Sequence, residues 1–151
     1  MRRRREHATT RADTVACAHC RARNRVPAAA SGVPRCGRCH NPLSWLTTAG
    51  DDDFDAVVTD SALPVLLDLW APWCQPCRIV EPGVERVAKT FAGSLKVVKV
   101  NVDSATAAAE RLAARSIPML LILEDGKERA KQIGAVGPDV LQRWIEGVMA
   151  S

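Results

Sequence analysis

Hydrophobic and polar positions divide this chain into a polar N-terminal segment and a regularly patterned remainder. Residues 64–70 form an apolar run interrupted only by Asp68, as expected of a central strand that is buried on both faces. Residues 75–91 carry apolar side chains at helical spacing, with Pro82 inside the pattern. Because a proline at that place removes a backbone donor, the pattern predicts a kinked helix.

Three further strands follow from the same kind of pattern. Residues 95–102 are rich in β-forming side chains, and residues 119–123 are continuously apolar. Residues 124–127 have the composition of a tight turn, so we expect residues 128–133 to return as an antiparallel strand.

Three more helices complete the prediction. Asp52 or Asp53 begins a short one, residues 105–115 form an Ala-rich one, and Gly137 and Pro138 open the last. The predicted order is helix, strand, helix, strand, helix, strand, strand, helix. This order indicates an α/β fold, with a mixed sheet that has helices on both faces.

The segment before this region has a different composition. Residues 14–45 contain four cysteines and five arginines but few large apolar groups, so we expect something other than a hydrophobic core to fold them. Residues 1–13 are charged and aperiodic, which predicts a disordered basic tail, and residues 47–53 resemble a linker. We therefore predict a tail at 1–13, a cysteine-bearing segment at 14–45 and the α/β domain at 46–151.

Charge and hydropathy exclude several classes of protein. The formal charge of the 151 residues is +4, which is too modest for a typical nucleic-acid binder. No apolar stretch is long enough to span a membrane, and the arginines at 2–5 are followed by polar residues instead of the apolar part of a secretory signal. We expect a cytoplasmic monomer without membrane or nucleic-acid partners, in a compartment where thiols stay reduced.

All six cysteines fall into three Cys-x-x-Cys pairs. Fifteen residues separate the pair Cys17 and Cys20 from the pair Cys36 and Cys39, which is the spacing of a zinc ribbon. Four thiolates would complete a tetrahedral Zn²⁺ site with no open position, so its role would be structural or regulatory. The metal would also supply folding free energy that this segment lacks.

Two alternatives remain open for these four cysteines. They could form two disulfides or two redox-active pairs, although no apolar strand and no helix flank them as would be needed to activate a thiolate. In addition, His19 or His40 could replace one of the cysteines as a ligand, because each lies beside one of them.

The third pair, Cys74 and Cys77, lies where the central strand is followed by a helix. The backbone N–H groups and the partial positive charge of a helix N-terminus stabilise a thiolate, which is the reactive form of cysteine. Pro76 favours the first helical turn. We expect Cys74 to attack a target disulfide, and Cys77, one turn later, to resolve the mixed disulfide.

Asp68 is a lone carboxylate in an apolar strand, six residues before Cys74. Burial should raise its pKa, and it could then take the proton of Cys77, directly or through water, during resolution. The alternative is that Asp68 lies at a strand edge and is solvated.

Residues 68–78 resemble the active-site segment of the thioredoxin family almost position by position. The N-terminal cysteine segment further resembles the bacterial thioredoxin 2 type, which carries a zinc-binding segment. The resemblance implies a thioredoxin fold, reduction of disulfide-containing substrate proteins and recycling by an NADPH-dependent thioredoxin reductase. It also implies a cis peptide bond before Pro118, proximity of Lys99 to Asp68, and a set of substrate-binding residues: Trp73, Pro76, Ile117, Pro118 and Gly134.

The chain departs from the family pattern at three places. Gln75 stands where the family usually has glycine between the cysteines, and this position tunes the reduction potential. Ser116 and Met119 replace the usual glycine and threonine beside the expected cis-proline loop. These two differences bear on the choice of partner and leave the thiol chemistry intact.

Three functions come into question for such a chain. A protein-disulfide reductase needs Cys74, Cys77 and Asp68 together, and all three are present. A binding module that uses the fold as a scaffold would have no need of them. An exported oxidant or isomerase would require a signal sequence and a histidine between the active-site cysteines. The sequence therefore predicts the reductase.

Overall fold

The computed structural model describes residues 11–30 and 32–151. Its first element is a two-stranded antiparallel sheet of β1 (Ala12–Ala16) and β2 (Arg23–Pro27). The predicted disordered tail was therefore too long, because Ala12 and Asp13 pair with β2 in this sheet. The rest of that tail, residues 1–10, lies outside the described residues.

A five-stranded sheet has the order β3-β5-β4-β6-β7. β4 is its central strand: it pairs in parallel with β5, which pairs in parallel with β3, and antiparallel with β6, which pairs antiparallel with β7. The strands are β3 (Leu46–Thr48), β4 (Val65–Trp70), β5 (Lys96–Asn101), β6 (Met119–Glu124) and β7 (Lys127–Ile133).

The start of the predicted linker was wrong. Leu46–Thr48 pairs with Val97–Lys99 of β5, and the side chain of Thr47 is buried. The sheet thus begins before the residues at which the apolar pattern becomes regular. A three-residue strand with two threonines carries too little hydrophobic signal to be separated from a loop.

A short π-helix (Asp55–Thr59) precedes three α-helices: α1 (Gln75–Thr90), α2 (Thr106–Arg111) and α3 (Pro138–Ala150). The predicted order of elements is confirmed. Two details were wrong. The N-cap of the short helix is Phe54, which makes no side-chain cap hydrogen bond, and the carboxylate of Asp53 accepts from the backbone N–H of Gly50 instead. Furthermore, α2 ends before the predicted residue 115, because Ala113 has a φ of 54° that no right-handed helix permits.

Apolar side chains fill both faces of the sheet. On one face, β4 and β6 pack against the π-helix and α2, and on the other they pack against α1 and α3. The helices α1 and α3 approach closely at Gly83, where a Cβ atom would lie 3.1 Å from the backbone of Pro138. The part of the chain that the structure describes has no helix with the length and apolar character of a membrane span.

The N-terminal segment has a small core of its own, which the sequence did not predict. Val26, Leu43 and Trp45 are buried beside Cys17 and Cys36. Leu63, which lies just before β4, packs against the same cluster. The segment is therefore attached to the larger sheet by apolar contacts.

Lys96 of β5 joins the two parts of the molecule. It is fully buried, at 0% exposure, and its Nζ donates to the carbonyl oxygen of Ala28 at 2.5 Å and to that of Val57 at 2.6 Å. The same nitrogen lies 4.1 Å from the ring centroid of Trp45. Burial lowers the pKa of Lys96 to about 8. One side chain thus contacts the N-terminal segment and the π-helix of the larger domain.

Candidate functional site

Cys74 and Cys77 form a disulfide at the N-terminus of α1, with their Cα atoms 5.4 Å apart. Cys74 is the N-cap residue of the helix, and the backbone N–H of Cys77 donates to the Sγ of Cys74 at 3.2 Å. The described structure is therefore the oxidised form. In the reduced form, the same N–H group and the helix N-terminus favour a thiolate on Cys74.

The chain between β4 and α1 places these cysteines. β4 ends at Trp70, and the backbone N–H of Cys74 donates to the carbonyl oxygen of Ala71 at 3.1 Å, which closes a tight turn. Pro76 occupies the first turn of α1, where no N–H donor is needed. The active-site residues predicted from the motif are thus held by one turn and one helix start.

A second loop lies against the cysteines. The peptide bond between Ile117 and Pro118 is cis, as the family resemblance implied, and Ile117 packs against the cluster that contains Cys74 and Cys77. The backbone N–H of Gly134 donates to the carbonyl oxygen of Pro118 at 3.0 Å. Gly134 has a φ of 99°, which favours glycine, so its identity is explained by this turn.

Trp73 is the most exposed large apolar side chain of the described residues, at 68%. Its indole N–H donates to both carboxylate oxygens of Asp103, at 3.0 and 3.2 Å. These hydrogen bonds hold the indole N–H, while most of the side chain stays open to solvent. This arrangement suits a flat apolar contact for another protein.

Asp68 lies in the middle of the sheet and is only 2% exposed. The alternative of a solvated strand edge is wrong, because β4 has a neighbour on each side. Burial raises the pKa of Asp68 to about 6, against the opposing effect of Lys99 and with a further increase from Glu81. Its Oδ1 has no hydrogen-bond partner within residues 11–30 and 32–151.

Lys99 is the register partner of Asp68 on the neighbouring strand β5. Its Nζ forms an ion pair with Oε1 of Glu81 and lies 5.0 Å from the ring centroid of Trp70. Glu81 was missed at the level of sequence. The available signal was its position four residues after Cys77, which places both side chains on one face of α1.

The other four cysteines come together in the N-terminal segment. Their Sγ atoms all lie within 4.8 Å of one another, and the distance is 3.5 Å both for Cys17 to Cys39 and for Cys20 to Cys36. None of the four forms a disulfide. Tetrahedral Zn²⁺ with Zn–S bonds of about 2.3 Å separates its sulfur ligands by roughly 3.8 Å, so the cluster fits this ion.

Each pair lies on the same kind of turn. The N–H of Arg21 donates to the carbonyl oxygen of Cys17, and the N–H of His40 donates to that of Cys36, both at 2.9 Å. Arg21 and His40 have positive φ angles of 65° and 66°. The two turns present their sulfur atoms to a common centre, and the group of possible ligands comprises four cysteines, without His19 or His40, as far as the described residues go.

Hydrogen bonds give the cysteine thiols of this cluster different pKa values. A backbone N–H of Cys39, together with the side chain of Asn24, lowers the pKa of Cys36 to about 5. The backbone and side chain of Asn41 lower the pKa of Cys39.

Cys20 differs from these two. The backbone N–H of Ala22 favours its thiolate, but burial and the three neighbouring sulfur atoms outweigh this effect and raise the pKa to about 11. Cys20 is therefore the sulfur of this cluster least disposed to ionise, and a bound cation would favour its thiolate form. The ligand-supporting residues Asn24 and Asn41 were not found from the sequence, because asparagine at a turn has many other uses.

Comparison with known proteins is decisive for the larger domain. Residues 45–147 match the family model described as thioredoxin. The chain belongs to the thioredoxin family. It is similar to thioredoxin of Haemophilus influenzae, with 44% identity over 103 residues, which are 68% of this chain and 96% of that protein.

Other relatives support the same assignment. Thioredoxin 1 of a Nostoc species is 44% identical over 104 residues, which cover 69% of this chain and 97% of that protein. Chloroplastic thioredoxin M4 of Arabidopsis thaliana is 41% identical over 96 residues, or 64% of this chain and 50% of that protein. As a member of this family, the chain is a thiol–disulfide oxidoreductase that reduces protein disulfides, and its Cys74–Cys77 pair fits the active site. The predicted family, fold and reaction class are confirmed.

Proposed function

We propose that Cys74 is the nucleophile and Cys77 the resolving cysteine of this reductase. The observation that carries the assignment is the N-cap position of Cys74, whose sulfur accepts the N–H of Cys77 at the start of α1. A helix N-terminus stabilises the thiolate of the residue placed there, and only one of the two cysteines has that position.

The reaction begins with the dithiol form. The thiolate of Cys74 attacks one sulfur of a substrate disulfide, whose S–S bond breaks, and one substrate thiolate leaves. Cys77 then loses its proton and attacks the Sγ of Cys74. The mixed disulfide breaks, the second substrate thiolate leaves, and the two electrons have passed from the enzyme dithiol to the substrate.

Asp68 is the base in the second half of this reaction. Its pKa of about 6 leaves it ionised at neutral pH, yet more basic than an ordinary aspartate. It lies in the buried strand that leads into the active-site turn, and it accepts the proton of Cys77 directly or through one water molecule. The rate of resolution should therefore follow the titration of Asp68.

The substrate contacts the surface around the two cysteines. Trp73 supplies an exposed aromatic face, and Ile117 and Pro118 lie on the loop that packs against the disulfide. The residues proposed to bind substrate are Trp73, Pro76, Ile117, Pro118 and Gly134. Hydrogen bonds to Asp103 hold Trp73, and Ile117 packs against the cysteines. The hydrogen bond from Gly134 to Pro118 fixes the neighbouring loop, so we expect this surface to exist before the substrate binds.

We further propose that an NADPH-dependent thioredoxin reductase returns the enzyme to its dithiol form, and that the enzyme works as a monomer in the cytoplasm. Reduction of disulfides proceeds in compartments that keep thiols reduced. Similarity to the thioredoxins of Haemophilus influenzae and Nostoc supports the proposed redox partner.

The four cysteines Cys17, Cys20, Cys36 and Cys39 are proposed to bind one Zn²⁺. The ion would supply the positive charge that allows four thiolates to approach within 4.8 Å of one another. Because all four ligand positions would be filled by sulfur, the role is structural or redox-regulatory. The small core around Trp45 would then be stabilised by the metal on one side and by packing against the larger domain on the other.

The test of the redox assignment is reduction of insulin disulfides with NADPH and thioredoxin reductase. The Cys74→Ser variant should lose all turnover. Cys77→Ser should form a mixed disulfide with its substrate and fail to release it, which a non-reducing gel detects. Cys17→Ser serves as the control, because it removes a cysteine outside the redox site. Undiminished turnover by Cys74→Ser would refute the assignment, whereas absence of turnover in the unaltered protein would favour a scaffold role for the fold.

A further inference from the structure

The ion pair between Glu81 and Lys99 stands at the edge of the buried Asp68 site. Lys99 is the cross-strand partner of Asp68, and in a parallel pair such neighbours on one face lie close together. The recorded ionic partner of its ammonium group is nevertheless Glu81 of α1. The Oδ1 atom of Asp68 is left without a hydrogen-bond partner among the described residues.

The three charged groups differ in their access to water. The exposed fraction of the side chain is 14% for Lys99 and 43% for Glu81, whereas Asp68 is only 2% exposed. The side chain of Lys99 therefore begins beside the buried Asp68, and its ammonium group reaches the partly exposed carboxylate of Glu81. A lysine ammonium on a flexible stem goes to the partner that is easier to reach with its hydration retained.

Every element packed around Asp68 contributes to its surroundings. β5 supplies Lys99, and β6 places the apolar Leu120 opposite Asp68. On α1, Cys77 is buried, and Glu81 lies one turn later, partly exposed, in the ion pair with Lys99. The local charge balance is thus governed by one cation and one additional anion.

We propose that Glu81 is a positioning residue, which holds the ammonium group of Lys99 away from the buried carboxyl group of Asp68 and so preserves Asp68 as a base. Its relevance to catalysis rests on the proposed role of Asp68 in resolving the mixed disulfide. Glu81 itself does not touch the reacting sulfur atoms in this account. It acts through Lys99 and through its own negative charge.

Removing the charge of Glu81 should lower the pKa of Asp68 in two ways. The released ammonium of Lys99 can pair with the carboxylate of Asp68, which favours the ionised form. The negative charge of Glu81, which disfavours that form, is lost at the same time. Asp68 in Glu81→Gln therefore becomes a weaker base that stays ionised to lower pH.

The experiment measures the titration of the Asp68 carboxyl carbon by NMR in the reduced full-length protein. For Glu81→Gln we expect the midpoint to fall by about one pH unit or more, the size produced by a nearby opposite charge. Glu85→Gln is the matched control, since Glu85 lies one turn farther along α1 and is exposed. Glu81→Asp, which keeps the negative charge, should return the Asp68 midpoint part of the way to its value in the unaltered chain.

A second background tests the route through Lys99. In Lys99→Met, the additional change Glu81→Gln should move the Asp68 midpoint less than it does in the unaltered chain, because no cation is released. An unchanged midpoint in Glu81→Gln, or an equal shift in Glu85→Gln, would overturn the proposal. An equal effect of Glu81→Gln with and without Lys99 would also overturn it, since the effect would then not pass through Lys99.

The rate of resolution, followed by stopped-flow against pH, separates this inference from the proposed function. If its midpoint moves together with that of Asp68, both the base and its positioning residue are supported. If the Asp68 midpoint shifts while the resolving rate does not follow it, the action of Glu81 on Asp68 is upheld and the assignment of Asp68 as the base fails.

Discussion

The active-site cysteines and the four cysteines of the N-terminal segment share the Cys-x-x-Cys spacing but are arranged differently. Cys74 is the N-cap of a 16-residue helix that contains Cys77, and a disulfide joins the two. The cysteines of the N-terminal segment are followed by tight turns with a residue of positive φ, and their thiols stay free. The comparison shows that Cys-x-x-Cys specifies proximity only. The backbone that follows decides whether the sulfur atoms face each other or a common centre.

The electrostatic settings differ in the same way. At the redox pair, one helix N-terminus favours a single thiolate, and a carboxyl group of raised pKa is buried in the adjoining strand. In the N-terminal cluster, hydrogen bonds favour the thiolates of Cys36 and Cys39 but the pKa of Cys20 is raised to about 11. The first arrangement suits the proposed stepwise exchange of protons and electrons, whereas in the second a bound cation would favour the thiolate form of all four sulfur atoms.

The largest effect that would separate the two groups is loss of the proposed metal. Cys36→Ser should abolish stoichiometric zinc binding and unfold the N-terminal segment, since structural zinc in small domains contributes apparent binding free energies of about 10–16 kcal/mol. Turnover with insulin should persist, because the redox pair lies on a different turn. Zinc content by atomic absorption and NADPH oxidation measure the two effects.

His19→Ala is the control for that variant and should keep its zinc, because the cluster of four sulfur atoms does not include this histidine. Unchanged zinc content in Cys36→Ser, or equal loss in His19→Ala, would show that the four-cysteine site is wrong.

The next effect concerns the connection between the two regions. Lys96→Met removes the donor shared by the carbonyl oxygens of Ala28 and Val57. Each buried carbonyl left unpaired should reduce the free energy of unfolding by about 1–3 kcal/mol. Urea denaturation followed by tryptophan fluorescence measures this, since Trp45 lies against the Lys96 side chain.

Lys127→Met, which alters an exposed lysine in another strand, is the matched control and should change the stability little. If Lys96→Met and Lys127→Met unfold at the same urea concentration, the buried lysine does not connect the regions as described.

Asp68→Asn tests whether the buried carboxylate of Asp68 destabilises the folded protein at neutral pH. The folded-state pKa of about 6 lies above the unfolded value of 3.8, so the folded chain binds more protons between those values and becomes less stable as the pH rises through them. Above pH 6, Asp68→Asn should therefore raise the free energy of unfolding by about 3 kcal/mol, and the gain should disappear below about pH 4. Denaturation curves of the oxidised protein at several pH values measure it.

The same substitution should slow resolution of the mixed disulfide, because an amide cannot take the proton of Cys77. Asp103→Asn is the control for charge, since Asp103 is exposed and bonds only the Trp73 indole among its recorded side-chain partners. A stability gain in Asp68→Asn that does not vary with pH would show that desolvation of the carboxylate is not its cause.

Much of the larger domain was predictable from local patterns. The apolar run of β4 and the helical spacing of α1 and α3 show the burial of each element in the sequence itself. The start of the sheet was not predictable, since Leu46–Thr48 is a strand only because β5 offers it a partner. Residues such as Glu81 and Lys96 carry ordinary charges, whose partners lie far away along the chain or on another element.

The chemistry of this protein is visible in local arrangements of residue types: a dithiol motif at a strand-to-helix junction, an aspartate in an apolar strand and two further Cys-x-x-Cys pairs. Which charges meet depends on the tertiary structure. Lys99 turns to Glu81 and not to Asp68, and Lys96 is buried between the N-terminal segment and the sheet. The physical reason is that periodicity reports how far each side chain is buried, whereas an electrostatic partner is set by distances across elements that no local pattern contains.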